Sequence, residues 1–522
     1  MRKKVLQKYS FPKPFQIPAL EQESFLQLRK QKQKDVSVVE AFRCIKYAKI
    51  KQKQQSCLGK LVFLRIKKRQ AHYKSLSLMS TTQATMNWPD LLSNKRYAQP
   101  HKSPDIRSSF QRDYDRIIFS SPFRRLQNKT QVFPLPGAQM VHNRLTHSLE
   151  VASVGRSIAC RTVEKLAKKH PDLKEHQSDI ETIVASACLA HDLGNPPFGH
   201  SGEDTISSFF MDGAGMELQS QVLPEQWSDL IAFEGNANAF RQLTHQFTGR
   251  RAGGFSLTSA TLATLLKYPY PSFDKGNRKK YNVFYSEIPA FEEVVNECGI
   301  PRLDTEHLVY ARHPLSYMME ASDDICYLVL DMEDAHKRGI ISTETIENCF
   351  VSFFDENKDK TFFRHKEDVY RDVTDVNERM AFLRAMLINK LVNLASDIFV
   401  KNYEAIMEGR FEKSLISHLP EFEKNALDLC RDESVKHIYR HPSVVKIELT
   451  GFNVIGTLLE DFTDAVLNPD TPYNKKLLSL IPEQFKVQTD VVYPKLQSVI
   501  DFISNMTDLY AVQLYKDLRG ID

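Results

Sequence analysis

What this sequence lacks narrows it first. No window reaches the roughly eighteen consecutive apolar residues of a membrane span; the run Leu61–Ile66 is short and flanked by lysine and arginine. The eight cysteines (Cys44, Cys57, Cys160, Cys188, Cys298, Cys326, Cys349 and Cys430) never form a CxxC pair and never cluster. That excludes a disulfide scaffold and a cysteine-rich zinc site, and it favours a reducing compartment, so a cytoplasmic protein with no membrane association is expected. Strand signals are sparse, confined to Asn282–Ile288 and Val444–Phe452, and no internal repeat is present. What is there is ordinary globular material. Hydrophobic residues make up 42% and charged residues 26% of 522, enough for a sizeable core and a second module.

The net charge of +5 conceals an asymmetry. Residues 1–85 hold 20 Lys and Arg against four acids (Glu21, Glu23, Asp35 and Glu40), a charge of +16. Residues 86–522 hold 50 basic and 61 acidic residues, a charge of −11. The first segment carries runs such as Lys30-Gln31-Lys32-Gln33-Lys34, has no sustained period, and ends Ser/Thr-rich. Three readings compete: a basic tail for nucleic acid or anionic lipid, a targeting peptide, or a stretch outside the natural protein, whose own start would be Met86-Asn-Trp-Pro. The third is favoured by the abrupt change of composition. The expected division is therefore 1–85, a basic extension; 86–345, a catalytic core; and 346–522, a helical C-terminal region.

From Met86 onward the pattern is helical, and the fold class is all-α. Val141–Lys168 spaces Leu145, Leu149, Val151, Ile158 and Leu166 at three- and four-residue steps. Asp179–Leu193 starts acidic, runs apolar and stops at Gly194-Asn-Pro-Pro. Phe233–Phe247 and Leu257–Leu266 are further helices. Pro314–Arg338 is a long one, with Pro in its first turn and Gly339 just past its end. Gly249–Tyr285, rich in Gly, Pro, aromatic and basic residues, reads as an insertion or long loop.

Chemistry concentrates at His191-Asp192, an imidazole and a carboxylate that together suit a divalent cation. Two ligands do not hold a metal. His147 on the preceding helix and the acid pair Asp323-Asp324 inside the long helix are the candidates to complete the set, since an interior acid is costly unless paired or ligated. Taken singly each is weak: a lone helical histidine is more often a surface or hydrogen-bonded residue, and an acid pair is usually solvated. Their joint occurrence in order H, HD, D is what carries weight. Asp323, Tyr327 and Asp331, spaced i, i+4, i+8, stack along one helix face, leaving Ile325, Leu328 and Val329 to pack elsewhere.

The surrounding words resemble the deoxyguanosine triphosphate triphosphohydrolases, a family of HD-domain phosphohydrolases. They are Arg124-Arg-Leu-Gln-Asn-Lys-Thr-Gln-Val-Phe-Pro-Leu135, Arg144-Leu-Thr-His-Ser-Leu-Glu-Val151, Leu189-Ala-His-Asp-Leu-Gly-Asn-Pro-Pro-Phe-Gly-His-Ser-Gly-Glu203, Phe233-Glu-Gly-Asn-Ala-Asn238, Leu266-Lys-Tyr-Pro269 and Met319-Glu-Ala-Ser-Asp-Asp-Ile-Cys-Tyr327. The likeness spans roughly Ser93 to Ala335; residues 1–85 have no counterpart in it. It implies one divalent metal per chain on His147, His191, Asp192 and Asp323, with Mg or Mn expected and Fe, Co, Ni or Zn also compatible. It implies proton transfer by His200 with Glu203 beside it, work suited to an imidazole whose tautomer a carboxylate fixes. It further implies substrate contacts from Gln131 to the base, from Arg144 and Lys267 to phosphates, and from Asn236. Tyr327 would lie where a 2′-hydroxyl would project, and Asp331 would receive the 3′-hydroxyl. The stretch Gly249-Arg250-Arg251-Ala-Gly253-Gly254 departs from the pattern between the Asn236 and Lys267 words.

The function expected on this basis is hydrolysis of a dNTP, dGTP first, to deoxynucleoside and inorganic triphosphate. The alternative is an HD phosphodiesterase or nuclease acting on cyclic or polymeric nucleotides; a two-metal form would need further histidines, and His245, His307 and His313 sit in no recognisable word. A non-catalytic nucleotide-sensing or nucleic-acid-binding protein whose basic tail docks on DNA is a third reading, and single-stranded DNA is a candidate partner. The resemblance also implies a homo-oligomer, hexamer or tetramer.

Overall fold

The computed structural model describes residues 85–99, 106–133 and 141–521, so every expectation about residues 1–84 lies outside the described residues. Among the described residues there is no strand, only four isolated bridges, and the fold is all-α. The helices that build the site are α1 (Ser109–Ile118), α2 (Ser121–Arg125), α3 (Arg144–Leu166), α4 (Gln177–Ala190), α5 (His200–Met211), α6 (Gly235–Thr244), α7 (Ser259–Leu265) and α8 (Pro314–Lys337). Behind them stand α9 (Val376–Lys401), α10 (Pro442–Leu467), α11 (Val492–Ser504) and α12 (Asp508–Arg519).

Local chemistry sets the ends of the two longest ligand-bearing helices. Asn143 caps α3 reciprocally: its Oδ1 accepts from the Thr146 amide at 3.0 Å, and its own amide donates to Thr146 Oγ1 at 3.1 Å. Helix α8 opens with Pro314, capped by His313 Nδ1 on the Leu315 amide at 3.1 Å, and closes before Gly339, whose φ is +69°.

Helix α4 is the centre. Ile180, Ile183, Val184, Ala187, Cys188 and Leu189 are wholly buried, and α1, α3, α7 and α8 pack around it. A helix apolar on every side must run through the middle of a core. Its C-terminus therefore delivers whatever follows Ala190 into the interior. Gly155 on α3 permits a close approach: a β-carbon there would stand 2.7 Å from Cys188 Sγ on α4 and 3.0 Å from Ser322 Oγ on α8. Three helices meet at that missing methyl group.

A first apolar core draws on residues from Met86 to Val444. A second joins Phe209 and Phe210 of α5 to Val454, Ile455, Leu458 and Phe462 of α10 and Leu496, Val499 and Ile500 of α11. Both segments read as strands turn out otherwise. Val444–Phe452 lies within α10, because Pro442 and the His441 cap start a helix and the buried residues Val444, Gly451, Val454, Ile455 and Leu458 recur at helical spacing. The period-two look of Val445-Lys446-Ile447-Glu448-Leu449 belongs to its exposed first turns. Asn282–Ile288 makes one bridge, Pro271 to Val283, and then a 3-10 turn. Side chains there take the backbone bonds a neighbouring strand would need: Asn282 Oδ1 accepts the Tyr268 amide at 2.7 Å, and Asp229 accepts the Tyr285 amide at 2.8 Å.

Candidate active site

Helix α4 ends at Ala190, and the next two residues, His191 and Asp192, turn into a buried polar cluster. His147, one turn into α3, and Asp323, midway along α8, come to the same place. Ligand-capable atoms of His147, His191 and Asp323 all lie within 4.8 Å of one another. Asp323 Oδ1 is 3.2 Å from His147 Nε2 and 3.4 Å from His191 Nε2, and Asp192 Oδ1 is 3.5 Å from His191 Nε2. Neighbouring Asp324 takes no part; burial raises its pKa to about 7.

His147, His191 and Asp323 together fit a single divalent cation, while Asp192 stands beside them with its oxygens taken by Arg144 and Asn195. His191 Nδ1 sits 2.6 Å from the Cys188 carbonyl, an acceptor only, so Nδ1 carries a proton and Nε2 is turned toward the carboxylates. That Nε2 is buried without a hydrogen-bond partner. An orphaned imidazole nitrogen beside two carboxylates and a second imidazole has the chemistry of a mixed N/O cation site. The charges are already cross-paired. Arg144 Nη1 donates to Asp192 Oδ2 at 2.9 Å, and Lys267 Nζ to Asp323 Oδ2 at 2.7 Å. Burial would raise the Asp192 carboxyl, but Arg144 and the histidines hold it at about 2; Asp323 is likewise held well below the usual range against burial, chiefly by Lys267.

His200 opens α5 after a sharp reversal: Phe198 and Gly199 both have positive φ, +63° and +58°. Gly199 is required there, since a β-carbon would collide with Arg144 Nη2. The His200 side chain is 70% exposed, while Glu203 is buried; Nδ1 of the ring lies 2.9 Å from Glu203 Oε2. The other Glu203 oxygen accepts from the Gly235 amide at the start of α6, at 2.9 Å. The hydrogen bond to Glu203 raises the His200 pKa. Because the Arg144 guanidinium touches both Gly199 and Asp192, it joins this dyad to the donor cluster.

On α8, Tyr327 and Asp331 meet a residue that the sequence reading did not name. Tyr439 stacks on Tyr327 with ring centroids 6.0 Å apart, and its hydroxyl donates to Asp331 Oδ2 at 3.0 Å. Burial pushes the Asp331 carboxyl up to about 8, against the hydrogen bond from Tyr439 that lowers it. Tyr439 comes from the C-terminal part, where no motif points to it. Asn195 was also missed. Its side-chain amide donates to Asp192 Oδ1 and its carbonyl accepts from Lys129 Nζ at 2.5 Å, although its setting in Gly194-Asn-Pro-Pro signals only a helix stop.

The softer candidates are placed less tightly. Asn236 Nδ2 donates to Glu234 Oε1 at 2.5 Å, and the Asn236 carbonyl accepts from Asn282 at 3.1 Å. Gln131 follows Thr130, whose amide is held by Asp508 at 2.8 Å; its Oε1 is buried without a partner, and no bond joins it to the cluster. Arg144 and Lys267 touch carboxylates in this structure, with their buried ammonium and guanidinium groups at the cluster's edge.

The profile of the HD domain matches residues 144–233, which carry His147, His191, Asp192, His200 and Glu203, and that of the phosphohydrolase-associated domain matches residues 418–517, which carry Tyr439. A deoxyguanosinetriphosphate triphosphohydrolase-like protein of Synechocystis sp. is 37% identical over 84% of this chain and 100% of its own length. One of Pseudomonas aeruginosa is 37% identical over 83% of this chain and 99% of its own. A deoxyguanosinetriphosphate triphosphohydrolase of Enterobacter sp. is 30% identical over 84% and 98%.

Proposed function

The chain belongs to the deoxyguanosinetriphosphate triphosphohydrolase-like family of HD-domain hydrolases, and from that premise we propose that it hydrolyses a deoxynucleoside triphosphate, dGTP first, to deoxynucleoside and inorganic triphosphate. The observation that carries the proposal is the pairing of one buried donor cluster with one exposed His200–Glu203 dyad, linked through Arg144. His147, His191, Asp192 and Asp323 would hold a divalent cation, Mg or Mn, which when bound would supply Lewis-acid polarisation of a phosphate oxygen.

The chain's own residues do the rest. His200, exposed on the buried Glu203 carboxylate, moves the proton at the scissile phosphorus–oxygen bond; Glu203, itself held by the Gly235 amide, fixes the ring through Nδ1, leaving Nε2 to reach the reacting oxygen. Arg144 and Lys267 bring positive charge to where negative charge grows on the phosphates. Tyr327, with Tyr439 stacked on it, leaves a 2′-hydroxyl no partner, and Asp331 meets the 3′-hydroxyl. Gln131 and Asn236 complete the substrate contacts.

Among the described residues His147, His191 and Asp323 form the one donor group of this kind. That favours a single-cation hydrolase over the two-metal phosphodiesterase reading. Six described cysteines are free thiols, which fits the proposal of a cytoplasmic enzyme, and no described helix is long and apolar enough to cross a membrane; that it acts as a homo-oligomer is proposed from the family. Anion-exchange analysis of products after incubation with each dNTP and Mg or Mn tests the reading. Triphosphate and deoxynucleoside are the expected products. Pyrophosphate, or turnover of cyclic or polymeric nucleotides alone, overturns it.

A further inference from the structure

The Gly249–Gly254 stretch, which departs from the family's words, walls a cavity of about 110 Å³ outside the cluster described above. Its other walls are the first turn of α2, the end of α6 and the turn at Gln484-Phe485. Two arginines face it, Arg125 and Arg250. Arg125 Nη2 donates to Asn505 Oδ1 at 2.6 Å, and Arg250 Nη2 to Gln484 Oε1 at 2.8 Å. Both partners are neutral amides, and among the described residues neither arginine makes an ion pair. Glu287, which touches the lining residue His245, is held by Arg241 at 2.6 Å and does not neutralise them. Burial, and then the charge of Arg250, lower the Arg125 pKa to about 10.

Gln242 supplies the second observation. It lines the same cavity, is 2% exposed, and both its Nε2 and its Oε1 are buried without a hydrogen-bond partner. A buried amide that satisfies neither its donor nor its acceptor is costly, by roughly 1–3 kcal/mol per group. Two arginines facing one another without a counter-charge add to that cost. One ligand relieves both: an anion for the guanidinium groups that also carries a proton for Gln242 Oε1.

We infer that this cavity, bounded by Arg125, Gln242 and Arg250, is a binding site for a protonated tetrahedral oxyanion of the hydrogenphosphate class. The volume equals three to four waters at about 30 Å³ each, which suits five heavy atoms and not a whole nucleotide. Unprotonated oxygens accept from the two guanidinium groups and from Gln242 Nε2, and the P–OH donates to Gln242 Oε1. Sulfate has the same shape and charge but no proton at neutral pH. The site therefore prefers phosphate over sulfate. The phosphate is either the free anion or the terminal group of a larger molecule whose remainder leaves past exposed Arg250.

Crystals of the full chain soaked in arsenate, which is protonated as phosphate is, test this by anomalous diffraction at the arsenic edge. An arsenic peak within hydrogen-bond distance of Arg125, Gln242 and Arg250 is expected, and any peak at the His147–His191 cluster is resolved from it by position. Absence of a peak between the arginines overturns the inference. Selenate, the sulfate analogue, is expected to occupy the site at least tenfold more weakly; equal occupancy removes the role of Gln242. Arg250→Ala, at an exposed position that does not endanger folding, is expected to weaken arsenate about tenfold; an unchanged peak in that variant counts against the site. Displacement of arsenate by orthophosphate identifies the free anion, displacement only by a nucleoside monophosphate identifies a larger phosphomonoester, and displacement by neither refutes the proposal.

Discussion

The two halves of the candidate site are built in opposite ways. At the donor cluster the charged groups are buried or, at Asp323, half-buried, and they are cross-paired: Arg144 on Asp192, Lys267 on Asp323, His147 against Asp323. At the dyad only the carboxylate is buried, and the His200 ring stands largely in solvent. On the roles proposed above, the difference separates holding from moving. A group that must keep a cation in place is fixed from several sides at once, whereas a group that must exchange a proton needs access and a single firm anchor. Both ends depend on the same α4, which leaves His191-Asp192 inside the core and then reverses through Phe198-Gly199 to bring His200 out.

The comparison breaks first at Asp192. Asp192→Ala removes a donor and leaves Arg144 buried without its counter-charge, so metal retention and turnover are both expected to vanish, with a folding cost of about 3 kcal/mol or more. Elemental analysis and thermal unfolding check this; full metal occupancy in the variant would mean that Asp192 is not a ligand. His200→Ala is expected to do the reverse, keeping the metal while kcat falls by about a hundred- to ten-thousand-fold. Loss of metal there would merge the two halves into one.

Smaller effects sharpen the contrast. Tyr327→Ala is expected to relax the preference for dNTP over NTP, read as the ratio of kcat/KM values, more than any change at Gln131 does. Tyr439→Phe, which removes the bond to Asp331 while keeping the stacked ring, should raise KM with little change in that ratio. Comparable kcat/KM for GTP and dGTP in the unmodified protein removes the sugar-gate role altogether. Glu203→Gln tests the anchor. The Glu203 carboxylate raises the His200 pKa, so its neutral replacement lets that pKa fall, and the limb of the pH–rate profile set by His200 moves to lower pH. A limb that stays in place belongs to another group. The smallest effect is expected from truncation to Met86, which should leave a folded, active protein, assayed by the same product analysis.

Much of this was legible in the sequence. Helices α3, α4 and α8 declare themselves by apolar period, caps and stops, and the order His147, His191-Asp192, Asp323 already pointed to the place where His147, His191 and Asp323 come together. What stayed hidden was what depends on distant packing. Tyr439 reaches Tyr327 and Asp331 from more than a hundred residues away, through a turn with no local signature. The pairing of Arg144 with Asp192 could not be told from a free phosphate contact, because both roles ask for the same guanidinium. Val444–Phe452 misled because its exposed turns alternate as a strand would, and only its burial against α5 and α11 reveals the helical period.

Gly155 shows what reproducing this site elsewhere would demand. It touches no donor atom, yet it lies two turns after His147, faces Cys188 three residues before His191, and faces Ser322 one residue before Asp323. Grafting the four donor residues onto another bundle of helices would transplant the chemistry without the gauge that sets its size. A single added methyl group at this contact meets Cys188 Sγ at 2.7 Å, so the helices must part by several tenths of an ångström. Coordination bonds near 2.1 Å tolerate errors of only about 0.2 Å. The transferable unit is therefore three backbones at a set separation, and a copy that keeps the ligands but loses the gap should fold and fail to bind its ion.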